Sequence, residues 1–455
     1  MSNQLYTDAS QVQRSTPYQP ESPLYLTQSD LDHDRISKRT NPHHLYHGEV
    51  LDSIAGHPCL YKYIPASATC LTSQDYGERR KDAPLVVLIP GGAHNARVYY
   101  GGHDGHKEVD FVAHWLSQAG YPVIAISYPL ETNPNVMPPT SPQFRITDWG
   151  KQAALVTKQV VDANESLHGR QILLAGWSMG GRILAPYTAF ATQKCGLHVG
   201  LFVALAATPG VGGMRAPLPG ISMTNNGYAT CYGLADHFIR QIEEQSRQKE
   251  KTILQARFSE NASCPSTTPP ATPPELTTSI IPHDVFVREY FGRTPVSMHG
   301  WQLSFDASTR SFISDHWGSE EDAAPYEGDF STLPWIASIT GTGALDARHA
   351  LVDDTAWKHI SAQRLIDLWE NWEKSHRAGN QDKQDGLLGA TPDVSWNRYS
   401  SFVHNSVMGA LSEQVNGNHY FFLGAEGAKD TARKIEKLWR KRCELQREIE
   451  TILNH

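Results

Sequence analysis

The chain has 455 residues, of which 40% are hydrophobic, and its formal net charge at pH 7 is -8. A chain of this length and hydrophobicity can bury a large core, which excludes a disordered or fibrous protein. The negative charge gives no broad electrostatic reason to bind nucleic acid, so no nucleic-acid partner is expected. The six cysteines show no C-x-x-C pair and no short metal-ligand spacing, which is typical of reduced thiols.

Residues 1–45 are predicted to form a polar tail, because they are rich in Ser, Gln, Asp and Pro and show no hydrophobic period. The first residues lack both a basic region and an apolar run, so no secretory signal is expected. The most apolar stretch, Val199 to Ala207, is too short to cross a bilayer. These features predict a cytoplasmic protein without a membrane span.

Strands and helices alternate over residues 46–210. The runs LYHGEVLDSI and PCLYKYIPA predict an antiparallel pair of strands. Continuous apolar runs such as PLVVLIP, YPVIAISYP, QILLAG and HVGLFVALAATPG then alternate with segments of helical spacing. This pattern predicts an α/β fold whose mostly parallel sheet is covered by helices on both faces, and residues 46–210 are the first part of its core.

The alternation stops over residues 211–328, which are interpreted as a cap or lid insertion after strand 6 of the core. The block contains a long charged helix, a Pro/Ser/Thr-rich loop over 259–280, and several aromatic residues. A cap of this kind would enclose a bulky, mostly apolar ligand, with lining residues expected to be Phe286, Tyr290, Phe291 and Trp301. Residues 329–455 then complete the α/β core.

The segment Gly176-Trp177-Ser178-Met179-Gly180 fits the G-x-S-x-G pattern of a nucleophile elbow. In such an elbow the serine lies on a strained strand-to-helix turn, and a side chain at either glycine would collide with neighbouring backbone. QILLA supplies the strand before the turn, and GRILAPYTAF supplies the helix after it. Ser178 is therefore the candidate nucleophile, and a tight turn without catalysis is the alternative.

A serine hydroxyl needs a base within hydrogen-bond reach. His419 is the candidate, because it follows a Gly/Asn turn and precedes the apolar run YFF, as expected of a loop after the last strand. His349 and His404 are competitors that lack such a setting.

A carboxylate must in turn orient the imidazole. Asp346 is preferred because it follows the strand-like WIASIT and a glycine-rich turn. Asp353 and Asp354 remain alternatives, although they could instead cap the next helix. The chain order Ser178, Asp346, His419 is the order expected of a genuine elbow.

The oxyanion of a tetrahedral intermediate needs backbone N–H donors. Pro90-Gly91-Gly92-Ala93 follows a strand, so Gly92 or Ala93 could supply one N–H and Met179 the other. A simple loop turn is the alternative for these glycines.

Three further side chains are predicted to contact substrate, namely Trp177 beside the serine, His94 after the oxyanion loop, and Trp301 in the cap. The nearby group of His94, His103, Asp104 and His106 could suggest a metal site. A polar loop at the rim of the active site is the preferred interpretation, so neither a metal nor another cofactor is expected.

The segments IPGGAHN, GWSMGG, TGTGALD and GNHYFF occur in this order, each at a predicted strand end, and on them the sequence resembles the α/β-hydrolase superfamily. PGGA and SYPLETNPNVMPP are similar to the HGG-type loop and the Tyr-x-Leu-x-Pro-Glu stretch of hormone-sensitive-lipase-like esterases. The chain departs from these esterases at Pro90, Trp177 and Met179, where they have His, Asp and Ala. The sequence is also similar in general character to accessory hydrolases of fungal natural-product pathways.

The sequence thus predicts a serine hydrolase that cleaves an ester or thioester of a small molecule through an acyl-enzyme. An acyltransferase or cyclase of secondary-metabolite biosynthesis would use the same triad and is one alternative. A ligand-binding protein without turnover is the other. The substrate and the oligomeric state are left open by the sequence.

Overall fold

The computed structural model describes residues 43–67, 83–132, 136–210, 222–224, 226–230, 233–246, 279–299, 303–306, 311–314, 329–380, 392–407 and 409–454. Residues 1–42 of the predicted tail lie outside the described residues. The same holds for most of the Pro/Ser/Thr-rich loop and for Trp301. The predicted domain boundaries at 46, 211 and 329 remain predictions.

An eight-stranded sheet forms the core, in the spatial order β1-β2-β4-β3-β6-β7-β13-β14. Its strands are β1 (Glu49–Ile54), β2 (His57–Ile64), β3 (Leu85–Ile89), β4 (Val123–Ile126), β6 (Ile172–Trp177), β7 (Val199–Leu205), β13 (Trp335–Gly341) and β14 (Ser412–Val415). β2 runs antiparallel to β1 and to β4, and the neighbours from β4 to β14 are parallel. This architecture confirms the predicted opening hairpin and the predicted mostly parallel sheet.

Seven helices of seven or more residues are present in the described part of the chain: α1 (Val112–Gln118), α2 (Ile146–Asp162), α3 (Leu184–Cys195), α4 (234–246), α5 (Asp354–Asn380), α6 (Pro392–Phe402) and α7 (Ala425–Asn454). Successive residues of β3 face opposite sides of the sheet. Val86 packs in one apolar cluster with Leu438 of α7, and Val87 packs in the other with Trp149 of α2. Helices therefore cover both faces, as predicted. Among these described residues no helix is both long and apolar enough to span a membrane.

A small second sheet connects the predicted cap block to the core. Its order is β5-β10-β9-β8, formed by β5 (Glu131–Thr132), β8 (Ser222–Met223), β9 (Tyr228–Thr230) and β10 (Gly292–Pro295). β5 comes from the first part of the core, and Gly292 of β10 pairs with Thr132. A separate hairpin joins β11 (Leu303–Asp306) to β12 (Ser311–Ser314). None of these strands in the cap block was predicted from the sequence.

Candidate active site

Ser178 lies on the turn between β6 and the helical segment that leads into α3, with a backbone φ of 50°. A positive φ is strained for a residue with a side chain. A Cβ on Gly176 would lie 2.5 Å from the carbonyl oxygen of Gly180, and one on Gly180 would lie 2.8 Å from that of Ile89. Both glycines are thus required by close backbone contacts, as the sequence pattern predicts. Ser178 is partly exposed, whereas Trp177 and Met179 on either side are buried.

Asp346 and His419 are hydrogen-bonded to each other, with 2.8 Å between His419 Nδ1 and Asp346 Oδ1. The second carboxylate oxygen of Asp346 accepts the Gly341 N–H at 2.9 Å, and the side chain is fully buried. Because an ionised carboxylate only accepts hydrogen bonds, Nδ1 of His419 carries the proton. Nε2 of His419 is then unprotonated, as a general base requires.

Glycines allow the two loops that carry this pair to approach each other closely. The Gly343 N–H donates to the carbonyl oxygen of Gly417 at 2.7 Å. A Cβ on Gly343 would lie 2.9 Å from that oxygen, and one on Gly341 would lie 2.8 Å from it. The glycines of TGTGALD and GNHYFF therefore serve the pairing of Asp346 with His419.

The competing residues have other partners. Asp353 Oδ2 lies 2.6 Å from His349 Nδ1, and Asp354 accepts a hydrogen bond from Ser412 at 3.1 Å and pairs with Lys358. His404 is exposed. Of the alternatives considered from the sequence, Asp346 is the carboxylate that contacts His419.

Trp177 connects Ser178 to this pair. Its indole Nε1 donates to the carbonyl oxygen of His419 at 3.1 Å, and the centroids of the two rings are 5.1 Å apart.

The predicted oxyanion donors differ in their availability. The Ala93 N–H donates to Tyr128 Oη at 2.8 Å and to Thr294 Oγ1 at 3.1 Å, so the prediction that Ala93 could supply an oxyanion donor is corrected. The Gly92 backbone lies against Met179, where an added Cβ would be 3.5 Å from the Met179 sulfur. Gly92 and Met179 therefore remain the candidate donors.

A family model described as "Alpha/beta hydrolase family" matches residues 86–423, a range that contains the elbow, Asp346 and His419. The chain belongs to the α/β-hydrolase family. No curated protein matches it. Similar solved structures include MenH from S. aureus, with 11% identity, 85% of this chain and 98% of that chain covered, and a TM-score of 0.31. An esterase from Pyrobaculum calidifontis has 13% identity, covers 86% of this chain and 84% of its own, and has a TM-score of 0.35. The family assignment rests on the family model.

Within this hydrolase, His94 is fully buried. Its Nδ1 lies 2.7 Å from the Gly92 carbonyl oxygen, and its Nε2 lies 2.8 Å from Tyr420 Oη. The carbonyl can only accept, so Nδ1–H donates to it and the Tyr420 hydroxyl donates to Nε2. Burial lowers the pKa of His94 to about 3, which keeps the ring neutral.

Aromatic residues from the core and from the cap block pack around His94. Its ring centroid lies 4.9 Å from that of Trp177, 4.7 Å from that of Phe238 in α4, and 5.5 Å from that of Phe286. Trp177 is itself only 1% exposed. The structure thus gives His94 and Trp177 a packing role where a substrate-facing one was predicted, while the prediction for Trp301 lies outside the described residues.

The hydrolase also brings Asp346, His349 and His419 together, with one possible ligand atom of each within 4.8 Å of the others. The two imidazole rings are stacked, at an interplanar angle of 12°. The lone pair of an imidazole nitrogen lies in the plane of its ring, so the lone pairs of stacked rings do not converge on one ion. This arrangement does not suit a metal centre.

The histidines after the oxyanion loop also have protein partners. His103 Nδ1 lies 2.5 Å from Tyr290 Oη, and His106 Nδ1 lies 2.7 Å from the His103 carbonyl oxygen. Burial lowers the pKa of His103 to about 4. These contacts show protein partners for both histidines, and the position of the loop at the rim of the active site stays a prediction.

Sequence reasoning missed two residues of the site and gave a third only a minor place. Tyr128 and Thr294 occupy the Ala93 N–H, and His349, named only as a competing base, stacks on His419. Tyr128 lies in SYP at the end of the predicted strand YPVIAISYP, so a local sequence pattern could have indicated it. Thr294 is 201 residues from Ala93 in the chain, so no local pattern indicates it.

Proposed function

We propose that this hydrolase cleaves a carboxylic ester or thioester through an acyl-enzyme formed on Ser178. His419 Nε2 takes the proton of the Ser178 hydroxyl as Oγ attacks the substrate carbonyl carbon. The resulting imidazolium then gives this proton to the leaving alcohol or thiol. A water molecule, deprotonated by His419, attacks the acyl group and releases the carboxylic acid and free Ser178.

The observation that carries this proposal is the pairing of Asp346 with His419 beside a strained elbow serine. The buried carboxylate fixes the tautomer in which His419 can act as a base, and it favours the imidazolium as that charge develops. Ser178 is partly exposed, and Gly176 and Gly180 permit the close backbone contacts of the turn that carries it. A packing role for the serine would not need this pair.

The negative charge on the substrate oxygen would be stabilised by backbone N–H groups. Met179 lies at the start of the helical segment after Ser178, and Gly92 packs against it. Donors fixed in advance at such a position typically contribute about 3 kcal/mol each to transition-state stabilisation. The proposed oxyanion hole therefore consists of the backbone N–H groups of Gly92 and Met179.

The proposed substrate is a bulky, mostly apolar small molecule. The predicted lining residues Phe286, Tyr290 and Phe291 are buried, whereas Phe238 is a partly exposed aromatic residue of the cap block and lies close to His94, with 4.7 Å between the ring centroids. Apolar walls with few polar groups are typical of pockets for such ligands. Acyl esters of graded chain length test this choice, and products formed with alcohol or amine acceptors would reveal an acyltransferase.

A fluorophosphonate probe tests the proposed nucleophile directly. We expect labelling of Ser178 in the wild-type protein and none in Ser178→Ala, since phosphonylation requires the activated hydroxyl. Turnover of esters should fall by at least about 10³-fold in Ser178→Ala. The exposed Ser166→Ala is the matched control, with wild-type labelling. A folded wild-type protein that neither reacts with the probe nor turns over any ester would contradict the proposal.

A further inference from the structure

A second histidine lies flat against the candidate catalytic histidine. The ring centroids of His349 and His419 are 4.6 Å apart, and their planes differ by 12°. The His349 side chain is 10% exposed, compared with 12% for His419. His349 begins the helical turn His349–Asp353, which closely follows Asp346 in the chain.

His349 is tied to the backbone of the nucleophile elbow. Its Nδ1 lies 2.6 Å from Asp353 Oδ2, in an orientation that is not that of a hydrogen bond. The same carboxylate oxygen accepts a hydrogen bond from the Thr208 hydroxyl at 3.1 Å. The Thr208 N–H in turn donates to the carbonyl oxygen of Ser178 at 2.8 Å. A line of contacts therefore runs from the serine backbone through Thr208 and Asp353 to His349.

We propose that His349 is a positioning residue for His419 in the acyl-transfer reaction proposed above, on which this inference rests. The stacked ring limits rotation of the His419 imidazole about its side-chain bonds and so maintains the direction of Nε2. Its π face also favours the imidazolium that forms on His419 when it takes the serine proton. His349 itself exchanges no proton with substrate.

The charge of His349 determines whether it supports the reaction. In the described part of the chain, the titratable groups that face its ring are Asp353 at its Nδ1, His419 on its face, and Asp346 behind His419. A neutral His349 exerts no charge repulsion on the imidazolium of His419. A protonated His349 places a like charge against that imidazolium and slows the step that forms it. The acid limb of the kcat/KM profile should therefore reflect two protons in the wild-type enzyme.

Two variants separate the ring of His349 from its polar atoms. His349→Phe retains a flat ring that cannot be protonated, and His349→Asn retains a polar side chain next to Asp353 without an aromatic ring. We expect His349→Asn to lower kcat by about 10-fold with KM changed less than about 2-fold, because only orientation in the transition state is lost. We expect His349→Phe to retain kcat within about 3-fold and to reduce the limiting acid slope of log kcat/KM from about 2 to about 1.

Two controls address folding. His359→Ala changes an exposed histidine of α5 and should leave kcat and the limiting acid slope of log kcat/KM unchanged. In His349→Phe, the Asp353 carboxylate loses its contact with His349. The double variant His349→Phe/Asp353→Asn removes this carboxylate, and it should show the same limiting acid slope of log kcat/KM as His349→Phe. Equal losses of kcat in His349→Asn and His349→Phe, or wild-type kcat and slope in both, would overturn the proposal.

A measurement without turnover keeps this inference distinct from the proposed function. In Ser178→Ala protein, NMR of ring-labelled histidines should show His419 titrating in two coupled steps with His349 present and in one step in the added His349→Phe variant. Identical titration of His419 in both proteins overturns the role of His349. Failure of the fluorophosphonate to label wild-type Ser178 overturns the proposed function instead.

Discussion

At the scale of single residues, His94 shows how a histidine next to a candidate catalytic site can be excluded from acid–base chemistry. Both ring nitrogens are hydrogen-bonded, to Gly92 and to Tyr420, and the side chain is fully buried. Burial is the largest cause of its lowered pKa, and the nearby His419 lowers it further. His94 thus holds the loop after β3 through the Gly92 carbonyl and takes no part in the proton transfer proposed for His419.

The buried His94 makes the stability of the protein depend on pH. Its pKa is about 3 in the folded protein and about 6.5 in an unfolded chain, so the unfolded state binds more protons between these values. The contribution of His94 is complete above about pH 6.5 and is lost as the pH falls toward 3, with a limiting slope of about 1.4 kcal/mol per pH unit. His94→Gln should lack this component, as measured by urea unfolding at pH 7, 6 and 5.

The control for this prediction is His168→Gln, which changes an exposed histidine. His103, whose pKa burial also lowers, contributes equally to both proteins, so the difference between them isolates His94. An acid dependence in His94→Gln as steep as in the wild type would show that His94 accepts a proton without cost in the folded state.

At the scale of elements, the approach of two loops places Asp346 against His419. Gly343→Ala would put a Cβ 2.9 Å from the Gly417 carbonyl oxygen and force the loops apart. Because a displacement of about 1 Å can cost 10²-fold in rate, we expect kcat to fall by about 100-fold. Steady-state kinetics measure the fall in kcat, and the melting temperature measures the effect of the forced separation of the loops on stability.

Gly169→Ala is the matched control for the loop prediction. Gly169 has a φ of 74°, and an added Cβ would meet nothing within 4 Å. This variant should lose about 1 kcal/mol of stability through backbone strain and retain its activity. Wild-type kcat in Gly343→Ala would show that the loops can separate without disturbing the pair.

The same elements show what the sequence can and cannot predict. The elbow and Asp346 were inferred because each follows an apolar strand, and parallel strands of one sheet bring their carboxyl ends together. His419 was inferred instead from the Gly/Asn turn before it, since the strand that precedes it, Ser412–Val415, is mostly polar. The short strands β8, β9 and β10 have too few residues for a hydrophobic period, so no pattern predicts them. The loss of Ala93 as an oxyanion donor also depends on Thr294, which is brought close by the pairing of β10 with β5 and by the hydrogen bond from the Gly292 N–H to the Ala93 carbonyl oxygen.

At the scale of the whole molecule, a buried ion pair joins three parts of the chain. Arg97, which follows the oxyanion loop, contacts Glu49 of β1 through Nε at 2.8 Å and Nη2 at 2.7 Å, and both side chains are fully buried. Arg97 Nη1 also donates to the carbonyl oxygen of Glu289 in the cap block at 3.1 Å. Tyr100 donates its hydroxyl to Glu49. The opening hairpin, the oxyanion segment and the cap block thus share one polar cluster.

Arg97→Met should destabilise the protein by about 3–5 kcal/mol, because it leaves the Glu49 carboxylate buried without its countercharge. Adding Glu49→Gln should recover part of this loss, since an amide oxygen can still accept from Tyr100 and carries no charge. Lys158→Ala, which breaks an exposed pair with Asp162, should cost less than about 1 kcal/mol. Urea unfolding of the three proteins and the wild type measures these differences. A loss in Arg97→Met as small as that in Lys158→Ala would mean that water reaches Glu49, and that the three parts of the chain do not depend on this pair.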